Sequence, residues 1–245
     1  MKSYQEINKD TIDKWGEEGW EWGKPVSHEE YINAKNGSWN VLLTPTVFVP
    51  HEWFGSLKGK KILGLASGGG QQMPIFNALG AECTVLDYSS KQIKSELLIA
   101  EREGYDINAV EGDMTKKFPF ADESFDIIFH PVSNCYVEDV QHVFNEAYRV
   151  LRKGGSLLSG LNNEINYIVD DEEKEIVWAM PFNPLKDKRA RDFMMAEGSG
   201  MQFSHTMTEQ IGGQLKAGFT LIDLYEDTNG IGRLHDMNIK NIYCN

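Results

Sequence analysis

From Lys60 onward, short apolar runs alternate with amphipathic stretches, and each run ends at a turn signal. Residues 60–66 (KKILGLA) are largely apolar and lead into Ser67-Gly68-Gly69-Gly70, which predicts a buried strand entering a tight turn. Residues 71–80 follow as a helix, with Pro74 in its first turn and Gly80 at the stop position. Residues 81–87 (AECTVLD) read as a second strand and 89–104 as a second helix, in which Ile93, Leu97, Leu98 and Ala100 keep helical spacing. A third strand is expected over 107–113 and a fourth over 124–131. A long amphipathic helix over 137–155 then closes at Gly154-Gly155, and 155–162 (GSLLSGLN) form a fifth strand. Alternating strands and helices with apolar strands imply a parallel sheet covered on both faces, an α/β doubly wound arrangement.

The pattern fails in two places. Residues 1–57 are polar, rich in aromatic residues and broken by Gly and Pro, with short helices expected near 5–17 and 27–36 and no sheet. Residues 162–203 are long, charged and Met-rich, the texture of a lid or binding segment, before a helix over 206–217 and strands near 219–227 and 235–244. The expected organisation is therefore an N-terminal helical, aromatic cap (1–57) and a main domain (58–245) carrying a lid insertion at about 162–203.

Composition narrows the function. Apolar residues make up 41% of the 245 and charged residues 25%, ordinary globular usage that excludes wholesale disorder. The 24 Lys and Arg against 37 Asp and Glu leave a net charge of −13, which disfavours phosphate-backbone binding. Three scattered cysteines form no CxxC pair, which argues against a disulfide framework and a zinc site, so no metal is expected. The N-terminus has no apolar signal core, and no stretch approaches the roughly 18 consecutive apolar residues of a spanning helix. A soluble cytoplasmic protein, monomer or homodimer, is the expectation. Five of the six Trp (Trp15, Trp20, Trp22, Trp39, Trp53) fall in the first 53 residues.

The strongest chemical signal is the strand–turn–helix at 62–71. Successive glycines can take φ > 0 and admit a ligand close to the backbone, and the next helix start presents N–H groups. Asp87 lies 17 residues past Gly70 at the end of the second strand, the place of an acidic residue that binds ribose hydroxyls. The competing role for Asp87 is an N-cap of the following helix.

Taken in order, ILGLASGGGQ, VLDYS, EGDM, FPFADESFDIIFHPVSN and VFNEAYRVLRKGGSLL resemble the class I S-adenosylmethionine-dependent methyltransferases, of the small-molecule, bacterial-like type, over about residues 60–161. The resemblance implies a Rossmann-like seven-stranded sheet of order 3-2-1-4-5-7-6 with strand seven antiparallel, and S-adenosyl-L-methionine as cofactor. It implies that Ala66, Ser67, Gly68, Gly70 and Gln71 hold the methionyl part, and that Asp87, with Tyr88 and Ser89, takes the ribose. Asp113 and Met114 would border the adenine, while His130, Ser133 and Asn134 face cofactor and substrate. This chain departs from the family in having Gly64 where an Asp or Glu is usual and Ala66 where Gly is usual. Gln71, Gln72 or an N-terminal residue could replace the missing carboxylate. The run His130-Pro131-Val132-Ser133-Asn134 is not the Asn-Pro-Pro-aromatic tetrad of enzymes that methylate planar nitrogens.

Methyl transfer needs alignment, a dry cavity and, for some acceptors, a base. His130 ranks first as that base and His205 second, each with a structural role as the competing reading. His51 is a third candidate, and Cys135 reads as structural. Tyr4, Trp20 and Trp22 are expected on the substrate side, where aromatic faces could shield a sulfonium, unless they only pack the cap on the sheet. The expected activity is methyl transfer to a small-molecule acceptor. The alternatives are a protein or tRNA methyltransferase, a non-catalytic adenosylmethionine-binding module, and an NAD(P)-dependent oxidoreductase.

Overall fold

A computed structural model describes residues 2–170, 174–228 and 237–244. Five strands lie parallel: β1 (Lys61–Leu65), β2 (Glu82–Asp87), β3 (Asn108–Glu111), β4 (Phe125–His130) and β5 (Leu151–Leu161). Their side chains explain the layering. On β1, Ile62 joins one apolar cluster while Leu63 and Leu65 join the other; on β4, Ile127 and Phe129 face the first and Ile128 the second. Both faces are therefore covered, which is why these strands read as unbroken apolar runs. Beyond β5 lie β7 (Met237–Cys244) and then β6 (Leu221–Thr228), and β7 is antiparallel to both its neighbours.

Helices α3 (Met73–Ala78), α4 (Ser90–Glu103) and α5 (Val140–Val150) connect the parallel strands, and α7 (Met207–Ala217) lies beside α5, where Gln141 Nε2 donates to Gly213 O over 3.0 Å. The long helix stops at Val150, earlier than the expected Gly154-Gly155. Leu151 turns extended (ψ 140°) and pairs with Phe125, Arg152 Nη1 reaches Asp126 at 3.0 Å, and Gly154 takes φ 76°. A strand pairing and an ion pair thus claim residues that helical propensity alone leaves in the helix.

Residues 2–57, the expected cap, begin with two helices. Capping boxes open both α1 (Tyr4–Glu17, Ser3 with Glu6) and α2 (His28–Lys35, Ser27 with Glu30). The segment after α2 crosses the end of β5 so closely that a β-carbon on Gly160 would stand 2.4 Å from Leu43 O. Asp227 of β6 fixes this segment by accepting from Thr44 Oγ1 (2.7 Å), Thr46 N (2.8 Å) and Val47 N (3.0 Å).

Residues 162–203 include α6 (Lys188–Glu197) and an apolar cluster of their own, to which Phe182, Met194, Met201 and Phe203 contribute. Met180 and Met195 are exposed, so the methionines here fill a core or face outward and do not line the main cavity. In the acidic run that starts at Asp170, residues 171–173 lie outside the described residues, as do 229–236. Among the described residues no helix is long and apolar enough to cross a membrane.

Candidate active site

The carboxyl ends of β1, β2 and β4 open into a cavity of about 740 Å³ between the sheet and the cap. Its floor is the glycine turn. Ala66 stands in the left-handed region at φ 47°, where the family usually has Gly, and its N–H is held by Leu86 O at 2.8 Å. Gly68 N donates to Asp87 Oδ2 (3.0 Å), Gly69 N to Gln92 O (3.2 Å) and Gly70 N to Glu96 Oε1 (2.7 Å). A β-carbon on Gly68 would lie 2.8 Å from Asp87 Oδ2 and 2.7 Å from Gln92 Cβ, so only glycine leaves this cradle open.

Asp87, the residue expected at the ribose, is buried at the cavity edge and also accepts Ser89 N at 2.8 Å. Burial raises its carboxyl to about 6 against the opposing pull of those backbone donors. The N-cap of α4 is Ser89, whose Oγ accepts Gln92 N at 3.1 Å, so Asp87 is free of the capping role. Ala66, Ser67, Gly68, Gln71, Asp87, Tyr88, Asp113, Met114 and Ser133 all line the cavity. This set fits an adenosyl ligand with an amino-acid tail: a carboxylate at the strand end, an open glycine turn, and the Asp113-Met114 wall.

Other expected residues lie elsewhere. Gly70 and Ser89 sit behind the lining, Gly70 pinned by Glu96 and Ser89 donating to Asp13 of α1 at 2.5 Å. His130 is fully buried, with Nδ1 against Leu65 O and Nε2 against Asn134 Oδ1, each at 2.9 Å. Burial lowers its pKa, and neither His130 nor Asn134 reaches the cavity. Both residues tie the β4 end to β1, a positioning role. His205 is also buried with its pKa lowered, contacts Asn134 O at 3.1 Å, and lines a separate cavity of about 440 Å³ beneath 162–203. His51 stacks on Trp39 at 3.9 Å, outside the cavity. Cys135 touches the cavity, but burial pushes its thiol up to about 12, which leaves it un-ionised and inert.

The tryptophans divide by task. Trp15, Trp20 and Trp22 face the cavity, the first two with ring centroids 5.2 Å apart, while Trp39 and Trp53 pack the cap on the sheet. Tyr4 misses the cavity; its ring meets Phe203 at 5.2 Å. The opposite wall holds residues with no motif to announce them: Asn162 Nδ2 donates to Tyr167 Oη (2.8 Å), which donates to Gln202 Oε1 (2.9 Å). Glu96 was likewise concealed. It lies in an amphipathic helix yet is wholly buried, which raises its carboxyl to about 8.

Comparison with known proteins agrees with this geometry. A family model described as a methyltransferase domain matches residues 63–159. The chain is 41% identical over 230 residues to the "uncharacterized methyltransferase YbaJ" of Bacillus subtilis (strain 168), covering 91% of this chain and 90% of that protein. It is 28% identical over 198 residues to the ubiquinone/menaquinone biosynthesis C-methyltransferase UbiE of Cereibacter sphaeroides, covering 75% and 76%. Among solved structures, the fold is similar to a Burkholderia thailandensis 1,6-didemethyltoxoflavin-N1-methyltransferase with bound S-adenosylhomocysteine (TM-score 0.63, 12% identity, 100% of this chain and 90% of that one). It is also similar to an S-adenosylmethionine-dependent methyltransferase from Mesorhizobium loti (TM-score 0.61, 17% identity, 79% and 94%).

Proposed function

The chain belongs to the class I S-adenosylmethionine-dependent methyltransferases, and from that premise we propose that it methylates a small-molecule acceptor held between sheet and cap. The nicotinamide oxidoreductase reading falls with that membership. In this proposal the seven-strand arrangement is the family's own, 58–245 carry the catalysis, and 1–57 with 162–203 cover the acceptor. The observation that carries the reading is the single cavity lined by the glycine turn and Asp87 on one side and by Trp20, Trp22 and Tyr167 on the other. An aromatic and amide wall suits an uncharged organic acceptor. The net charge of −13 supports a small acceptor over tRNA.

The bound cofactor supplies an activated methyl on a sulfonium; the chain supplies placement. Asp87 accepts the ribose hydroxyl hydrogens, Asp113 and Met114 border the adenine, and the aromatic cap excludes water. Among the described residues no histidine lines this cavity. In this reading no histidine serves as base, and the hydrogen-bonded chain Asn162–Tyr167–Gln202 forms the polar side of the acceptor's site.

Two measurements test the reading. Asp87→Ala is expected to weaken S-adenosylmethionine binding by at least tenfold in calorimetry, the cost of a lost charge-assisted contact; unchanged affinity refutes the ribose assignment. Labelled cofactor incubated with fractionated metabolite, protein and RNA pools is expected to transfer label to an extractable small molecule. Label retained only on protein or RNA overturns the acceptor class.

A further inference from the structure

The three N–H groups of the glycine turn are already donated inward, to Asp87, to Gln92 O and to Glu96. They leave no donor for the carboxylate of an amino-acid tail. The end of β1 offers no acid for the tail's ammonium either. A β-carbon on Gly64 would stand 2.9 Å from the side chain of Met73, which is wholly buried and fills that room. Both charges of the tail must be met, since a charged group leaving water without a partner is costly.

Most charged residues lining the cavity are engaged. Asp113 accepts Thr115 N, Glu30 closes the capping box of α2, and Lys9 is paired with Glu111. Glu21 and Lys24 also line the cavity, and among the described residues neither side chain has a hydrogen bond or ion pair. Both ride on the cap turn Glu21–Gly23 and its exit, which is seated directly on the glycine turn. Gln71 Nε2 donates to Glu21 O (3.1 Å), Val26 N donates to Gly70 O (2.8 Å), and a β-carbon on Gly69 would lie 3.3 Å from Gly23 Cα.

We propose that Glu21 and Lys24 form a charge-complementary clamp for the zwitterionic end of the cofactor, Glu21 meeting the ammonium and Lys24 the carboxylate. The proposal rests on the methyltransferase reading and adds that the cap, not the strand end, supplies the charges. Cofactor affinity then depends on cap residues as well as on the sheet.

The test compares two thioethers that differ only at that end: S-adenosylhomocysteine and 5′-methylthioadenosine, which lacks the amino-acid tail. In calorimetry, Glu21→Gln and Lys24→Gln are each expected to weaken S-adenosylhomocysteine about three- to tenfold, as for a partly solvated charge pair. Affinity for 5′-methylthioadenosine and the thermal unfolding midpoint should stay at wild-type values. Rising salt should weaken only the zwitterion. Equal affinities of wild type and Glu21→Gln for S-adenosylhomocysteine overturn the clamp, as does an equal loss for both ligands, which would report a structural role. A wild-type chain that bound neither thioether would instead overturn the cofactor assignment, and the clamp with it.

Discussion

The sheet and helix α1 of the cap are held by different forces. The parallel strands are fixed by apolar burial on both faces: Phe129 is fully buried, with ring centroids 5.3 Å from Phe76 and 6.2 Å from Phe54. Helix α1, which roofs the cavity, buries a single side chain, Asn8, and that one is polar. Asn8 Nδ2 donates to Met201 O (3.0 Å) and Tyr136 O (3.2 Å), and its Oδ1 accepts Met201 N (2.6 Å). Asp13, also on α1, accepts from Ser89 Oγ and Lys91 N at the start of α4. Apolar burial is cooperative and global, whereas a few polar contacts can open locally. The sheet is thus the rigid side of the cavity, and α1 the side able to open locally.

Substitutions should separate the two regimes. The largest effect is expected from Phe129→Ala, which deletes a ring from a closed core and should cost about 3–5 kcal/mol in global chemical unfolding. Asn8→Ala should cost about 1–3 kcal/mol, the price of buried backbone groups left unpaired. Its signature is local: native-state hydrogen exchange should lose protection over α1 while β1, β4 and β5 keep theirs. If Asn8→Ala lowered protection in all strands equally, α1 would be part of the core and the contrast would fail.

A smaller effect concerns pH. Burial holds Asp87 at about 6 in the folded chain, above its ordinary 3.8. For a raised carboxyl, the stability contribution is complete below the unfolded value and is lost as pH rises through about 6. Ligand binding runs the other way, because ribose hydroxyls donate best to the ionised form. Cofactor affinity should therefore fall about tenfold between pH 8 and pH 5, and Asp87→Asn should flatten that profile. Glu96 is likewise raised by burial, to about 8. Glu96→Gln should raise the unfolding temperature relative to wild type progressively as pH rises from about 4.5 to about 8, with the difference level above 8, where the carboxyl is ionised in both states.

The same contrast governs what can be read from the chain. Parallel strands covered on both faces are legible as apolar runs, and the glycine turn and Asp87 are legible because a strand end, a turn and a fixed spacing are local features. The roles of His130 and His205 are not local. Each follows strand or loop signals that suggest a site, yet contacts to Leu65 O and Asn134 turn both rings into the protein. Glu96, Asn8 and Asp227 carry no signal in sequence, since their partners lie 26, 193 and about 180 residues away. The helix–strand junction at Val150 is concealed for the same reason: Asp126 and Phe125, on another strand, decide where α5 ends.

In the proposed function the cap completes the cofactor site formed by the sheet. Hydrogen–deuterium exchange of the full chain, free and saturated with S-adenosylhomocysteine, tests it most directly. Slowed exchange is expected both at residues 66–71 and 87–89 and, to a larger degree, across residues 4–26. Protection confined to the sheet positions, with the cap exchanging as in the free chain, would contradict the account.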